Sequence, residues 1–357
     1  MSKAYGVDCG TMFFQVASQS EGKLNIQTTR NAFVELQESE DIDEVLRQNK
    51  WQYVKDEDKY YVIGEDSLRV AKMFPGKVEL RRPLQGGVLN KGETKKLLIM
   101  NELIESAIGK APTKDSVVCI CVSSDSVDGS PDSTFHKARL QAMFKNLGWN
   151  VKVIDEGLAV VLSERPIAME MTDDGVEVEA PFSGIGLSFG AGRSNCVLAY
   201  KGLQIVGMSC ARAGDWVDEK VAEQTGTPIS QVTSLKEKTL DFGNIDTDDD
   251  VQFALDAYYG AMIKYVFENF AHKFSEVKSQ FESPLDVVIA GGTSMPKGFC
   301  SKVEAVLADM NLPFDIKSVR LSSDPRNSVV KGLLTQALLH SRNIKTEETK
   351  TEEVVAE

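Results

Sequence analysis

The chain of 357 residues predicts an α/β fold of two similar domains, each a mixed sheet flanked by helices. Three observations lead there. Glycine-bearing turns follow apolar, strand-like runs at Asp8-Cys9-Gly10-Thr11, Gly190-Ala191-Gly192 and Gly291-Gly292-Thr293-Ser294. Two of these turns lie about 180 residues apart, as expected of a repeated half-domain. Strand-like runs alternate with helix-like ones in both halves of the chain. A turn with little or no side chain after a strand lets backbone N–H groups approach phosphate oxygens. The features that predict the fold therefore also predict two half-domains facing one phosphate-bearing ligand.

Length exceeds what one hydrophobic core usually fills, and the 42% hydrophobic content supplies two. No apolar run approaches the roughly 20 residues needed to span a bilayer, and Met1 to Ala4 lead directly into a strand, so a cytoplasmic location is expected. The six cysteines (Cys9, Cys119, Cys121, Cys196, Cys210, Cys300) lie in or beside apolar runs without a CxxC pair, which predicts buried free thiols and no zinc site. A net charge of −13 argues against direct nucleic-acid binding, so a DNA partner would come through an adaptor.

In chain order, residues 4–18 and 24–27 read as opening strands, with a glycine turn at Glu21-Gly22-Lys23. Residues 51–54 and 60–63 read as strands around a charged turn, and Gly64-Glu65-Asp66 opens a helix through Ala71. The region 30–75 is thus a small inserted subdomain. Helical spacing covers 95–108, a buried strand 117–122, an amphipathic helix 135–147 that Gly148 ends, and a strand 151–154. Residues 170–180 are polar and acidic, a loop or short hairpin before the strand 184–189. Strands at 195–200 and 204–207 form a hairpin around Lys201-Gly202. Helices follow at 215–224 and 228–238. The acidic run 246–250 lacks the glycine and distal glutamate of a calcium loop and reads as a solvated turn before a helix, where carboxylates are favourable. The apolar rhythm of 251–280 predicts one long helix. A buried strand at 287–290 precedes helices at 295–310 and 328–340, and the charged stretch 345–357 reads as a disordered tail. The first domain is expected over 1–155, closed by a helix at about 324–343, and the second over 156–323 with a subdomain at about 215–283.

Five stretches carry a specific likeness. Tyr5-Gly6-Val7-Asp8-Cys9-Gly10-Thr11 resembles a first phosphate motif, and Asp155-Glu156-Gly157 a first connecting helix with glycine in place of the usual proline. Residues 184–193, ending in Gly190-Ala191-Gly192-Arg193, resemble a second phosphate loop. Residues 287–296 resemble an adenosine motif, and 324–332 a second connecting helix. In this order and spacing they resemble the actin and heat-shock-chaperone ATPase superfamily, in its prokaryotic actin-like branch of MreB-, ParM- and magnetosome-actin-type proteins. Arg82-Pro83-Leu84-Gln85-Gly86-Gly87-Val88-Leu89 is similar to a segment of MreB and magnetosome actins. The resemblance covers about residues 5–340 and implies ATP or ADP with Mg2+ in a cleft between the two domains. It implies that Asp8 orients the magnesium hydration shell and that Glu156 faces the phosphates, the two residues it marks as catalytic. It further implies that Gly10, Thr11, Gly190, Ala191, Gly192 and Arg193 meet the phosphates. By the same resemblance Gly214 and Asp215 are expected beside the ribose, Lys236 and Glu237 around the adenosine, and Gly291, Gly292, Thr293 and Ser294 where the nucleotide meets the backbone.

Departures from the pattern bear on the chemistry. Ser188 stands where the family has an aspartate, and Met12-Phe13-Phe14 replace small polar or basic residues. Backbone N–H binding survives such changes, whereas side-chain help to a transition state is reduced. Arg193 is either a guanidinium for the terminal phosphate or a solvent-facing hairpin residue. His136 begins the helix that carries a water-orienting residue in relatives, or is an ordinary, partly exposed helical histidine. The leading expectation is an ATP-binding, slowly ATP-hydrolysing protein that polymerises with itself into cytoskeletal filaments under nucleotide control. The alternative is a non-polymerising or degenerate nucleotide-binding module that recruits a protein partner. A chaperone would need a longer segment after Gly332, and a sugar kinase a sugar-recognition segment.

Overall fold

The computed structural model describes residues 2–90, 92–93, 95–129, 133–164, 168–171, 177–180, 182–275, 277 and 284–356. The chain divides into two compact units: Met1–Ile120 with Thr134–Val153 and Gln336–Glu357, and Cys121–Ser133 with Ile154–Thr335.

The first unit opens with β1 (Ala4–Cys9), β2 (Phe13–Ser20) and β3 (Lys23–Arg30). Residues 4–18, read as one strand, are therefore two strands joined by the first glycine turn, because the turn reverses the chain at Gly10. An inserted three-stranded sheet follows, made of β4 (Phe33–Gln37), β5 (Tyr53–Asp56) and β6 (Lys59–Ile63), with helices α1 (Glu40–Asn49) and α2 (Glu65–Met73). Its own core gathers Val34, Leu36, Leu46, Trp51, Val62 and Val70. Helix α1 is capped by Ser39, whose Oγ accepts from Ile42 N at 3.3 Å, and is closed by Lys50 in a left-handed conformation. Short strands β7 (Leu84–Gln85) and β8 (Val88–Leu89) pair across Gly86 and Gly87, both with positive φ (55° and 74°), as a tight hairpin turn requires. Helix α3 (Lys96–Ile108), strand β9 (Val117–Val122), helix α4 (Thr134–Asn146) and strand β10 (Asn150–Asp155) complete the sequence of elements. Every residue of β9 is buried, as its unbroken apolar run requires of a strand covered on both faces. The main sheet has the order β10-β9-β1-β2-β3, with β1 parallel to β9 and antiparallel to β2.

In the second unit, α5 (Glu156–Ser163) precedes the paired strands β11 (Ala168–Met171) and β12 (Glu177–Ala180), a hairpin where the sequence allows loop or hairpin. Strands β13 (Gly184–Phe189), β14 (Ser194–Tyr200) and β15 (Leu203–Cys210) form an antiparallel meander. Helices α6 (Gly214–Thr225), α7 (Ile229–Lys238) and α8 (Asp250–Ser275) follow. Helix α8 ends at Ser275, and of the remaining stretch read as its continuation, residues 276 and 278–280 lie outside the described residues. Then come β16 (Leu285–Ala290), a 3-10 turn Gly292–Ser294, α9 (Phe299–Ala308), β17 (Ile316–Leu321) and α10 (Ser328–Ala356), which from Gln336 onward belongs to the first unit. The helix read from 295 thus begins at Phe299, because the tight turn at Gly292–Ser294 and Pro296 precede it. The backbone of 345–356, read as disordered, continues α10 as helix. The sheet order β15-β14-β13-β16-β17, with β13 parallel to β16, repeats the plan of the first sheet: a three-stranded meander whose first strand is flanked by a parallel neighbour. The core is built on α8, where Tyr259 packs against Phe242 and Phe299 at ring separations of 5.0 and 6.0 Å.

Candidate functional site

The repeated sheet plan puts the first two glycine turns in equivalent places. In the first unit Cys9 faces Phe14 and the loop between them runs Gly10-Thr11-Met12-Phe13. In the second, Phe189 faces Ser194 across Gly190-Ala191-Gly192-Arg193. A Cβ on Gly10 would stand 2.9 Å from the carbonyl oxygen of Phe13, and one on Gly190 the same 2.9 Å from that of Arg193, so both loops close tightly enough to demand glycine. By register Asp8 and Ser188 are equivalent, as are Gln15 and Asn195.

In each loop two carbonyls are tied back into their own unit. Asn31, fully buried, donates Nδ2 to Gly10 O at 2.8 Å, and its backbone N donates to Met12 O at 3.0 Å. Gly190 O accepts from Gly214 N at 3.0 Å and from Thr293 Oγ1 at 2.7 Å, while Ala191 O accepts from Asp215 N at 2.8 Å. The N–H groups of Thr11, Ala191 and Gly192 donate to nothing among the described residues. Carbonyls held inward with N–H groups left over are the arrangement that can receive an anion such as a phosphate oxygen.

The second unit brings together what the chain holds apart. Gly190, Gly214, Lys236 and Thr293 meet, for a Cβ on Gly214 would lie 2.4 Å from Thr293 Oγ1, 3.2 Å from Lys236 Nζ and 3.3 Å from Gly190 O. Gly291 adopts φ 98°, with its absent Cβ directed at Phe189 O, whereas a Cβ on Gly292 would meet nothing within 4 Å. That open face fits the close backbone approach of a nucleotide. Ser294 Oγ donates to Gly291 O at 2.8 Å and Tyr259 Oη to Thr293 O at 3.1 Å, which holds the turn from beneath.

Lys236 is spent inside the protein. Its Nζ lies 2.8 Å from Asp218 Oδ1 and donates to Gly214 O at 2.9 Å, with both side chains almost wholly buried. Burial pushes the Asp218 carboxyl up, against the opposing pull of the Lys236 ammonium and the Thr233 hydroxyl. Glu237, one residue on, is exposed. Asp218 was not singled out in the sequence, although a carboxylate between Val217 and Val221 on the apolar face of α6 signals a buried charge that needs a cation.

Glu156 begins α5 beside the second loop, and a Cβ on Gly190 would lie 4.0 Å from its Oε1. Ser188 Oγ donates to that Oε1 at 2.6 Å and Asn195 Nδ2 to Oε2 at 2.9 Å. Arg193 is buried, with Nη1 donating to Ser209 Oγ at 2.9 Å, so its solvent-facing reading is replaced by an internal one. His136 is buried as well, not partly exposed, because α4 turns that face into the protein. Asp8 is half-buried, and burial, then the Asp8 charge, push the Cys9 thiol well above its usual range, which leaves Cys9 a structural thiol. Phe14 is core and Phe13 lies under the Arg30 guanidinium at 4.4 Å, which accounts for these two of the three apolar residues Met12-Phe13-Phe14. Among the described residues no group of three or more His, Cys, Asp or Glu could hold a metal ion. Magnesium that keeps its waters needs only one or two carboxylates beside phosphates, and Asp8 fits that demand. The acidic run 246–250 is a helix start, where Asp249 Oδ1 accepts from Val251 N at 2.9 Å and Gln252 N at 3.2 Å. The cysteines are free thiols, all buried but Cys300. No helix among the described residues is long and apolar enough to cross a membrane.

A family model described as Volactin matches residues 3–337. No curated protein matches the chain. Among solved structures, the MamK double helical filament is similar over 94% of this chain and 99% of that one, at 18% identity and a TM-score of 0.64. MreB 5 of Spiroplasma citri bound to AMPPNP is similar over 97% of this chain and 99% of that one, at 12% identity and a TM-score of 0.67. The same protein bound to ADP matches with the same coverage and identity at 0.64. At these identities the likeness is one of fold: the chain has the prokaryotic actin-like fold of the MreB and magnetosome-actin type.

Proposed function

We propose that this chain, which belongs to the Volactin family, binds ATP with Mg2+, hydrolyses it slowly and polymerises with itself into filaments under nucleotide control. The observation that carries the reading is the pair of equivalent loops in each of which two carbonyls are tied inward while N–H groups are left for an anion. The fold shared with a filament and with a protein crystallised with AMPPNP and ADP supports the choice of ligand and of self-association.

Each residue then has a task. Thr11, Ala191 and Gly192 offer N–H groups to phosphate oxygens, and Gly10 and Gly190 let their loops close. Asp8 orients the hydration shell of Mg2+, which when bound offsets phosphate charge. Gly291 and Gly292 admit the adenosine to the backbone, and Gly214 and Asp215 start a helix beside the ribose, with favourable partial positive charge toward an anionic ligand. Lys236, Thr293 and Ser294 serve indirectly, by holding those turns. Glu156 aims a water in line, the main task left to side chains in phosphoryl transfer. A second reading, a nucleotide-binding module that recruits a protein partner without polymerising, is favoured by Ser188, whose hydroxyl replaces a carboxylate.

Light scattering of the purified protein after addition of Mg-ATP, with phosphate release followed in parallel and Asp8→Ala as the control, tests the reading. Scattering should rise with ATP for the wild type and stay flat for the variant. Bound nucleotide with a flat trace at high protein concentration would turn the conclusion to the module, and no bound nucleotide would refute both.

A further inference from the structure

Glu156 is held by two groups that can each give or accept a hydrogen bond. Ser188 and Asn195 face each other on β13 and β14, are buried, and donate to opposite oxygens of the one carboxylate. The backbone beneath them leaves no slack: a Cβ on Gly157 would lie 2.9 Å from Val197 N and 3.0 Å from Gly186 O, so the first turn of α5 is seated directly on these strands. An ionised carboxylate only accepts, whereas a protonated one also donates. A hydroxyl serves either form by rotating. A carboxamide serves either form by turning over, and Asn195 Oδ1 is buried without a donor among the described residues, so it has an acceptor to spare. In the equivalent place of the first sheet the facing pair is Asp8 and Gln15. A carboxylate at position 188 would confront Glu156 with like charge, relieved only when one of the two takes up a proton.

We infer that Ser188 and Asn195 are positioning residues that hold Glu156 in one place through both of its protonation forms. The inference rests on the reading of Glu156 given above. In the step it serves, one O–H bond of a water breaks and the proton passes to a Glu156 oxygen. The electron pair stays on the water oxygen, which bonds to the terminal phosphorus while the bond from phosphorus to the bridging oxygen breaks and its pair leaves with ADP. The proton then returns from Glu156 to phosphate or solvent. Because the clamp fits both forms, Glu156 does not swing away between turnovers.

The test uses the full chain with Ser188→Ala, Ser188→Thr and Ser188→Asp, and reads three quantities. These are the equilibrium Kd for ATP, single-turnover phosphate release, and the side-chain order of Glu156 in nucleotide-free protein by 13C relaxation. Ser188→Ala should lower the turnover rate roughly 10- to 100-fold with Kd little changed, the scale expected of a misplaced reacting group. It should also loosen Glu156 without nucleotide. Ser188→Thr should restore both, and Ser188→Asp should be as slow as Ser188→Ala although it restores the residue usual in the superfamily. Turnover of Ser188→Asp at or above wild type, or unchanged turnover in Ser188→Ala, overturns the inference. Should Ser188→Ala not fold, Asn195→Asp, isosteric but an acceptor only, takes its place with the same expectation. If the wild type binds no nucleotide, the function proposed above fails by itself, and the clamp is decided by Glu156 order, which must fall in the variant.

Discussion

Gly332 separates packing from helix propensity with a single methyl group. It lies inside α10, where alanine is favoured over glycine by about 1 kcal/mol. Its neighbour, however, is the backbone of α5: a Cβ would stand 1.8 Å from Ala159 O, 2.6 Å from its carbonyl carbon and 2.9 Å from its Cα. Carbon–oxygen contacts settle near about 3.3 Å, so the two helices would have to part by about 1.5 Å. No rotamer relieves a clash between Cβ and backbone, which puts the cost at the upper end of overpacking, about 3 kcal/mol or more. After the propensity gain, Gly332→Ala should destabilise by about 2 kcal/mol or more, a fall in Tm of about 4–8 °C for a unit of this size. Gly260 in α8 is the matched control, because its Cβ would meet only Lys302 Cε at 3.6 Å and Nζ at 3.8 Å, the movable end of a side chain. Gly260→Ala should therefore stabilise by up to about 1 kcal/mol. Calorimetry and urea unfolding of the two variants beside wild type decide the matter. A Gly332→Ala protein as stable as wild type, or two variants shifted in the same direction, would refute the reasoning.

Three further outcomes follow from the buried and capping charges. Lys236→Met leaves Asp218 buried without its cation and should cost about 3–5 kcal/mol in urea unfolding, with much of the loss recovered in Lys236→Met/Asp218→Asn. Burial raises the Asp218 carboxyl in the folded state, so the deficit of Lys236→Met should be smallest below the unfolded value of 3.8 and grow as pH rises through the folded one. The Lys59 ammonium, with Arg81, holds the Glu35 carboxyl below its usual 4.5. Its contribution is accordingly present above that value and lost as pH falls through the lowered one, and Glu35→Gln should flatten this part of the pH dependence of the urea midpoint at low salt. Asp249→Ala removes the acceptor for two N–H groups at the start of α8 and should cost about 1 kcal/mol by the same measurement, with Asp249→Ser largely neutral.

What local chemistry determines was legible in the sequence. The glycine turns stand where strands end, because a four-residue loop closed by a carbonyl 2.9 Å from the absent Cβ of Gly10 or Gly190 admits no other residue. The unbroken apolar run of β9 and the period of α3, α6 and α7 marked those elements, since burial on both faces and on one face leave different patterns. Strand β4, helix α1 and strand β17 were not legible: α1 is polar but for a few positions, and β17 is only partly buried. The partners of the polar groups were decided by tertiary structure alone. Nothing in the residue types of Lys236 and Arg193 names Asp218 or Ser209: α6 brings the carboxylate of Asp218 to Lys236, and β15 brings the Ser209 hydroxyl to Arg193, which excludes only the solvent-facing one of its two readings. Ser188 looked like a missing carboxylate, yet the pairing of β13 with β14 and the seat of α5 make it half of a clamp on Glu156, 32 residues away. A residue type states what a side chain can donate or accept. Which atom lies within 3 Å of it depends on segments that only the folded chain brings together.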